Sequence, residues 1–479
     1  ALAEAAFPTH QTRALSRAIV GVIDSGIDFR HATFRQPDGR TRLLAIWDQA
    51  LEPVGAEAPP AGFDYGVEYT RAQIDAALAS DAPGAPVRHV DRECHGTHVA
   101  GIAVGGGHPI DATGALRYQG AAPQADLIVV ANTRVDHHGE RSLGDCTDLF
   151  EAIAYILRTA DALGRPVVIN CSQGATIGAH DGSSLMERAI DYWSREAPGR
   201  VLVKSAGNEA EGKRHAEGIV TADRAQAVGM DVGRGTAAVV IDIWHDGDLG
   251  VAVMPPGPAG DTTPHVRPPL TATTPLGNGT IVTVDAMLDE SGSGRHRTYV
   301  HIGQGTADAV PSGLWTLHIE GTGTWDAWVH EQAVTTFRRP FVSARRTVTL
   351  PGTATSVITV GAYVSNGRFT GGERGRLSRV SSHGPTRDGR PVPTLCAPGE
   401  ELTAAQPGRT PHGPQSGTSM AAPVVAGAVA RLLDLNPWMT ADDVKRALQA
   451  SARRDDITGP SPDPNRWGAG KLDVSRLVR

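Results

Sequence analysis

Cysteine is scarce in this chain. Four residues in 479 (Cys94, Cys146, Cys171, Cys396), far apart and without a C-x-x-C pair, exclude a disulfide-stapled scaffold and a zinc ribbon. Free thiols are the expectation. Runs of Lys or Arg are missing as well, and the formal net charge is -7. A dedicated nucleic-acid binder, which must neutralise phosphates with a basic face, is therefore not expected. No run of 18 apolar residues occurs, so no membrane span is expected. Ala1 to Arg17 contains no apolar segment of secretory-signal type. Internal repeats are absent, and the only low-complexity tract is the Pro/Gly-rich Met254 to Gly260.

What is present is an ordinary globular composition, 40% apolar, with 56 glycines and 33 prolines that imply many turns and close backbone approaches. The length suggests two or three units. Ala18 to Ile23 is a continuous apolar run ending in Asp-Ser-Gly, which reads as a buried parallel strand with Asp24 at its carboxyl end. Asp126–Val130, Arg165–Asn170 and Arg200–Lys204 read the same way. Between them, Thr147–Leu163 and Ser184–Glu196 carry apolar residues at helical spacing. Alternating strands and helices imply a parallel sheet flanked by helices.

Past Lys213 the helical period disappears. Ala237–Trp244, Gly279–Asp285 and Gly313–Glu320 alternate as strands do, and Trp244, Trp315, Trp325 and Trp328 predict an aromatic-rich sandwich core. The α/β texture returns at Ala354–Ala362. It ends in a nearly uncharged, buried helix from about Met420 and a second helix capped by Thr440, with Asp442 and Asp443 in its first turn. The fold class expected is α/β: a parallel core over 1–213 and 351–479, with an antiparallel β-sandwich inserted at 214–350.

Three segments carry chemistry. Ser419 lies in Gly417-Thr-Ser-Met-Ala-Ala-Pro423; proline is tolerated in a first helical turn, which predicts a helix start close to Ser419. A serine hydroxyl needs a general base, and that base needs an orienting carboxylate. His95, opening His-Gly-Thr-His-Val-Ala-Gly101, and Asp24 are the candidates. His98 is the weaker base. A metal site on this His-x-x-His pair is disfavoured, since zinc-protease helices space their histidines four apart around a glutamate. Each motif alone reads first as a cap or a structural residue. Together, the order Asp, His, Ser with two glycine-rich helix entrances matches one known arrangement of the catalytic triad.

Val22-Ile-Asp-Ser-Gly-Ile-Asp28, His95–Gly101 and Gly417–Pro423 resemble the three signatures of the subtilisin-like serine proteases, the subtilases. The likeness covers about residues 18–213 and 351–475, including Ser205-Ala-Gly-Asn208. It implies a serine endopeptidase in which Asp24 orients the imidazole, His95 is base and then acid, Ser419 is acylated, and Asn208 donates to the oxyanion. It further implies that Ser172, Gln173 and Gly174 pair with the backbone of a bound peptide. Gln173 departs from the apolar residue usual there. The long stretch from Asn208 to Ser419 resembles the clostridial spore-germination subgroup, which carries a jelly-roll insert.

From the same resemblance, the expected partners are a protein or peptide substrate and an inhibitory propeptide or separate inhibitor protein. Only 23 residues precede Asp24 here, too few for such a propeptide. No cofactor is required for the chemistry. Structural calcium is frequent in the family, yet Gly105–Asp111 matches no identifiable calcium loop, and metal content stays open. The family favours a secreted location, with the cytoplasm as the alternative. Cys94, next to His95, is read as a small buried hydrophobe.

Overall fold

The computed structural model describes residues 18–80, 86–109, 116–135, 141–143, 146–257, 262–288, 295–330, 334–368, 371–408 and 411–478. Ala1–Arg17 and parts of Gly105–Asp111 and Met254–Gly260 lie outside them, as does the side chain of Cys146.

The apolar runs pair as an eight-stranded sheet. In chain order its strands are β1 (Ile19–Asp24), β2 (Leu43–Asp48), β3 (Val67–Thr70), β4 (Asp126–Ala131), β5 (Val167–Cys171), β6 (Arg200–Ser205), β7 (Ile358–Tyr363) and β8 (Leu395–Pro398). Across the sheet they run β8-β7-β6-β5-β1-β4-β2-β3, all parallel except the β2/β3 pair at one edge. Alternation along β1 sorts the layers. Val20 and Val22 join the core formed with helices α1 (Arg71–Leu78), α2 (His95–Val104) and α5 (Thr418–Leu435), while Ile19 and Ile23 join that of α3 (Cys146–Ala162) and α4 (Leu185–Glu196). Both sheet faces are thus covered, which is why the strands read as continuous apolar runs.

Helix α5 corrects one premise. Pro423 sits in its second turn, not its first, so the carbonyl of Ser419 loses its helical donor. The Ser172 hydroxyl replaces that donor at 3.0 Å. α5 is also long and apolar enough to cross a membrane by length and composition, but it is 83% buried inside the fold and serves as the core helix. Helix α6 (Ala441–Ser451) begins with the expected cap: the Thr440 hydroxyl and the Asp443 carboxylate each bond the other's backbone N–H.

From His215 to Phe337 the described strands are antiparallel. Gly313–Val329 runs through both layers. Its first half pairs with Gln226–Val232 and Asp248–Met254, its second half with His215–Val220 and Ala238–Asp246. The crossing falls at Gly321 and Gly323 (φ +110° and +158°), where a Cβ would collide with the carbonyls of Asp248 and Asp246. Val228, Ile241, Val251, Val284, Trp315 and Trp325 fill one apolar cluster between the layers. Trp244 departs from the expected core role. It is half-buried, with the guanidinium groups of Arg297 and Arg387 over its ring. Trp328 stacks against His180 of the α/β part (4.1 Å, 7°) and against His215 (4.8 Å, 26°).

Candidate active site

The carboxyl edge of the parallel sheet gathers the predicted residues, as open α/β sheets do. Asp24 ends β1, Ser172 follows β5, and Asn208 lies three residues past Ser205, the end of β6. α2 starts with His95, and Ser419 is the second residue of α5. Asp24 is buried, and its Oδ1 accepts from His95 Nδ1 at 2.7 Å and from the Ser25 N–H at 2.8 Å. With a carboxylate on Nδ1, that nitrogen carries the proton and Nε2 holds the free lone pair. Asp24 Oδ2 is buried with no hydrogen-bond partner, so the carboxylate charge is compensated mainly through the imidazole. Burial works against the imidazolium, but the Asp24 carboxylate, its hydrogen bond, and then Asp91 and Glu93 outweigh it and raise the His95 pKa.

The entrance to α2 is held by a residue that the motifs did not single out. Asp91 is buried, and its carboxylate accepts from the Ser25 hydroxyl (2.9 Å), the N–H groups of Glu93 (3.2 Å), Cys94 (3.0 Å) and Thr97 (2.9 Å), and the Thr97 hydroxyl. Ser25 in turn accepts from the Gly96 N–H at 2.9 Å. The first amides of the helix are therefore capped from outside it. Gly96 must be glycine, because a Cβ there would collide with the Gly26 carbonyl. This close approach brings the Asp24 turn against the His95 helix. His89 braces the turn from below, accepting from the Ile27 N–H at 3.0 Å while its Nδ1 meets Asp48 Oδ2 at 2.6 Å.

The entrance to α5 is built differently. Asn208 Oδ1 accepts from both the N–H and the hydroxyl of Thr418, each at 3.0 Å. Those two donors fix the orientation of the amide, so Nδ2 is left to donate, and Asn208 is exposed. The Ser419 N–H is too early in the helix for an intrahelical acceptor. The Ser419 hydroxyl donates to the Ser172 carbonyl at 3.1 Å, and no hydrogen bond joins it to His95 in this state. The two entrances are tied together by Gln415 Nε2, which donates to the Cys94 carbonyl at 3.1 Å.

Gln173 is buried and makes a reciprocal amide pair with Asn132, at 2.8 and 2.7 Å. His98 is buried, with Nε2 at 2.9 Å from the Gly413 carbonyl, and burial lowers its pKa to about 4, which suits structure rather than base catalysis. Cys94 is a half-buried free thiol in the left-handed conformation (φ 63°), its pKa raised by burial and by Asp91 and Asp28; Cys171 and Cys396 are buried and free. Among the described residues no group of three or more His, Cys, Asp or Glu could hold a metal ion.

The family model described as "Subtilase family" matches residues 16–230 and 331–470. The chain belongs to the subtilase family. Among solved structures, the CspB protease of Clostridium perfringens superimposes with a TM-score of 0.81 at 27% identity, covering 97% of this chain and 92% of that one. This whole-length likeness includes the insert, in keeping with the subgroup that the sequence resembles. Among curated subtilase relatives, the serine protease AprX of Bacillus subtilis is 33% identical over 149 residues, which is 28% of this chain and 32% of AprX. The C5a peptidase of Streptococcus pyogenes is 26% identical over 482 residues, 96% of this chain and 39% of that protein. The chain thus spans only a minor part of the length of these two relatives.

Proposed function

We propose that this subtilase is a serine endopeptidase that hydrolyses peptide bonds through an acyl-enzyme on Ser419. The reading is carried by the 2.7 Å contact of buried Asp24 with His95 Nδ1, at the same sheet edge as a serine whose helix start is locked to Asn208. In this scheme Ser419 leaves the Ser172 carbonyl and turns to His95 Nε2, which takes its proton as Oγ attacks the scissile carbonyl. The carbonyl oxygen becomes an oxyanion and is received by Asn208 Nδ2 and the Ser419 N–H, both neutral donors fixed before reaction. The imidazolium, stabilised by Asp24, then protonates the leaving amine. Water repeats the sequence to release the acid. Ser172 to Gly174 would pair with the substrate backbone, a recognition tolerant of side chains, with Gln173 contributing main chain only because its amide is held by Asn132.

The scheme calls on no cofactor. The substrates proposed are proteins or peptides, and the segment 214–350 is proposed as a unit inserted beside the site. The test is labelling by a fluorophosphonate with mass-spectrometric localisation. Modification of Ser419 that is lost in Ser419→Ala supports the proposal. A folded wild-type protein that takes up no label and cleaves no peptide in a mixed library overturns it.

A further inference from the structure

Ser419 sits at a helical position that lacks its usual restraint. In a regular α-helix its carbonyl would accept from the N–H of residue 423, but that residue is Pro423, which has no N–H and whose ring crowds the carbonyl four residues back. The carbonyl is held from another element instead. The Ser172 hydroxyl, one residue past the end of β5, donates to it at 3.0 Å.

The direction of that hydroxyl proton is set by a third residue. Asn170 Nδ2 donates to Ser172 Oγ at 3.0 Å, which occupies a lone pair and leaves the Ser172 proton to the Ser419 carbonyl. Asn170 is fully buried, and its own Oδ1 has no hydrogen-bond partner among the described residues. An apolar residue of similar shape would avoid the cost of that unmade bond. What the amide contributes in return is the orientation of Ser172.

The two serines are therefore paired in both directions: Ser419 Oγ donates to the Ser172 carbonyl at 3.1 Å, and Ser172 Oγ donates to the Ser419 carbonyl. The first bond breaks when Ser419 turns toward His95. The second survives that turn and keeps the backbone of Ser419 in register with the segment Ser172–Gly174. With Asn208 holding Thr418 on one side and Ser172 holding the Ser419 carbonyl on the other, the Cα–Cβ bond from which Oγ swings is fixed at both ends. Such precision matters, because a misplacement of about 1 Å can cost about 10² in rate.

We infer that the Ser172 hydroxyl is a positioning residue for the nucleophile and that it forms one device with Pro423: the proline releases the Ser419 carbonyl from its own helix, and Ser172 fixes it to the segment proposed to hold the substrate. The inference rests on the endopeptidase reading above.

The experiment is a double-mutant cycle on the full chain, with kcat and KM on one peptide substrate, the rate of fluorophosphonate labelling at Ser419 and the melting temperature measured for each protein. Ser172→Ala keeps the main chain that would pair with substrate, so kcat and the labelling rate should fall together by about tenfold or more while KM changes by less than about threefold. Pro423→Ala returns an N–H to the helix for the Ser419 carbonyl, and in that background Ser172→Ala should cost less than about threefold in kcat. A hydroxyl that served stability alone would move the melting temperature and leave kcat of the folded protein unchanged. A loss of equal size in both backgrounds overturns the inference, because the hydroxyl would then not act through that carbonyl. So does a folded Ser172→Ala whose kcat stays within about threefold of wild type, or whose loss lies in KM alone. If Ser172→Ala does not fold, the cycle is run with Ser172→Cys, whose thiol is only a weak donor. Wild-type protein that neither labels nor cleaves overturns the protease reading itself.

Discussion

The two helix entrances of the proposed active site solve one problem in opposite ways. At α2, the first amides are capped by the Asp91 carboxylate and the Ser25 hydroxyl, with negative charge packed close to His95. At α5, the cap is the neutral amide oxygen of Asn208 on Thr418, and the next N–H, that of Ser419, is left open. In the proposed scheme a capped, acidic entrance suits His95, which becomes a cation, and an uncharged, partly open one suits Ser419, beside which an anion forms. Helix N-termini are not interchangeable scaffolds. What caps them decides which charge they tolerate next door.

Substitutions at the two entrances test that contrast. The largest effect expected is from Ser419→Ala, a fall of about 10⁶ in kcat, the order found for the nucleophile of subtilisin; measured turnover within tenfold of wild type would remove the serine from the scheme. Next comes Asn208→Asp, which keeps an acceptor for Thr418 but loses the Nδ2 donor. It should cost at least about 10² in kcat, with little change in melting temperature, since oxyanion donors of this kind are worth about 10²–10³ in subtilisin. A large loss of stability with kcat unaltered would mean that Asn208 only caps the helix.

The acidic entrance predicts pH behaviour. Because the His95 pKa is raised, the acid limb of kcat/KM should have its midpoint above 6.5, the ordinary imidazole value. Asp91→Asn should move that midpoint toward lower pH, and a pH titration of the rate in which the two proteins coincide would contradict the electrostatic role. Stability responds with two signs. His95, with its raised folded pKa, stabilises below the unfolded value, and that contribution fades as pH rises through the folded one. His98, His180, His245 and His383 are each lowered to about 4, chiefly by burial, so the unfolded chain binds more protons between about pH 4 and 6.5. Their four contributions outweigh that of His95, and melting temperatures should fall from pH 6.5 toward pH 4. A smaller effect is expected at the α2 cap. Cys94→Gly should relieve the left-handed backbone and stabilise by about 0.5–1 kcal/mol in denaturant titrations.

Much of this architecture could be read from residues alone, for physical reasons. The strands ending at Asp24, Cys171 and Ser205 are buried on both faces and appear as continuous apolar runs, so their placement needed no partner information. Thr440 with Asp443 is a local signal and was found locally. What escaped depends on contacts distant in sequence. β2 and β3 close one edge of the sheet and were not picked out as strands. Asp91 is an unremarked aspartate until the fold brings Ser25 and Thr97 to it. Pro423 pointed to the right helix start but lies one turn deeper than a first-turn proline, where Ser172, 247 residues away, replaces the donor lost to the Ser419 carbonyl. The aromatic pattern placed the insert's core correctly for Trp315 and Trp325, and failed for Trp244, whose ring is engaged by two arginines at the boundary.

The stacking of Trp328 against one histidine from the α/β part and one from the strand that opens the insert gives the molecule a built-in optical gauge. Imidazolium quenches indole emission far more than neutral imidazole does, and slippage of the two parts would unstack all three rings. The part of the tryptophan emission that is lost in Trp328→Phe therefore registers whether the two parts are seated against each other, with no label attached.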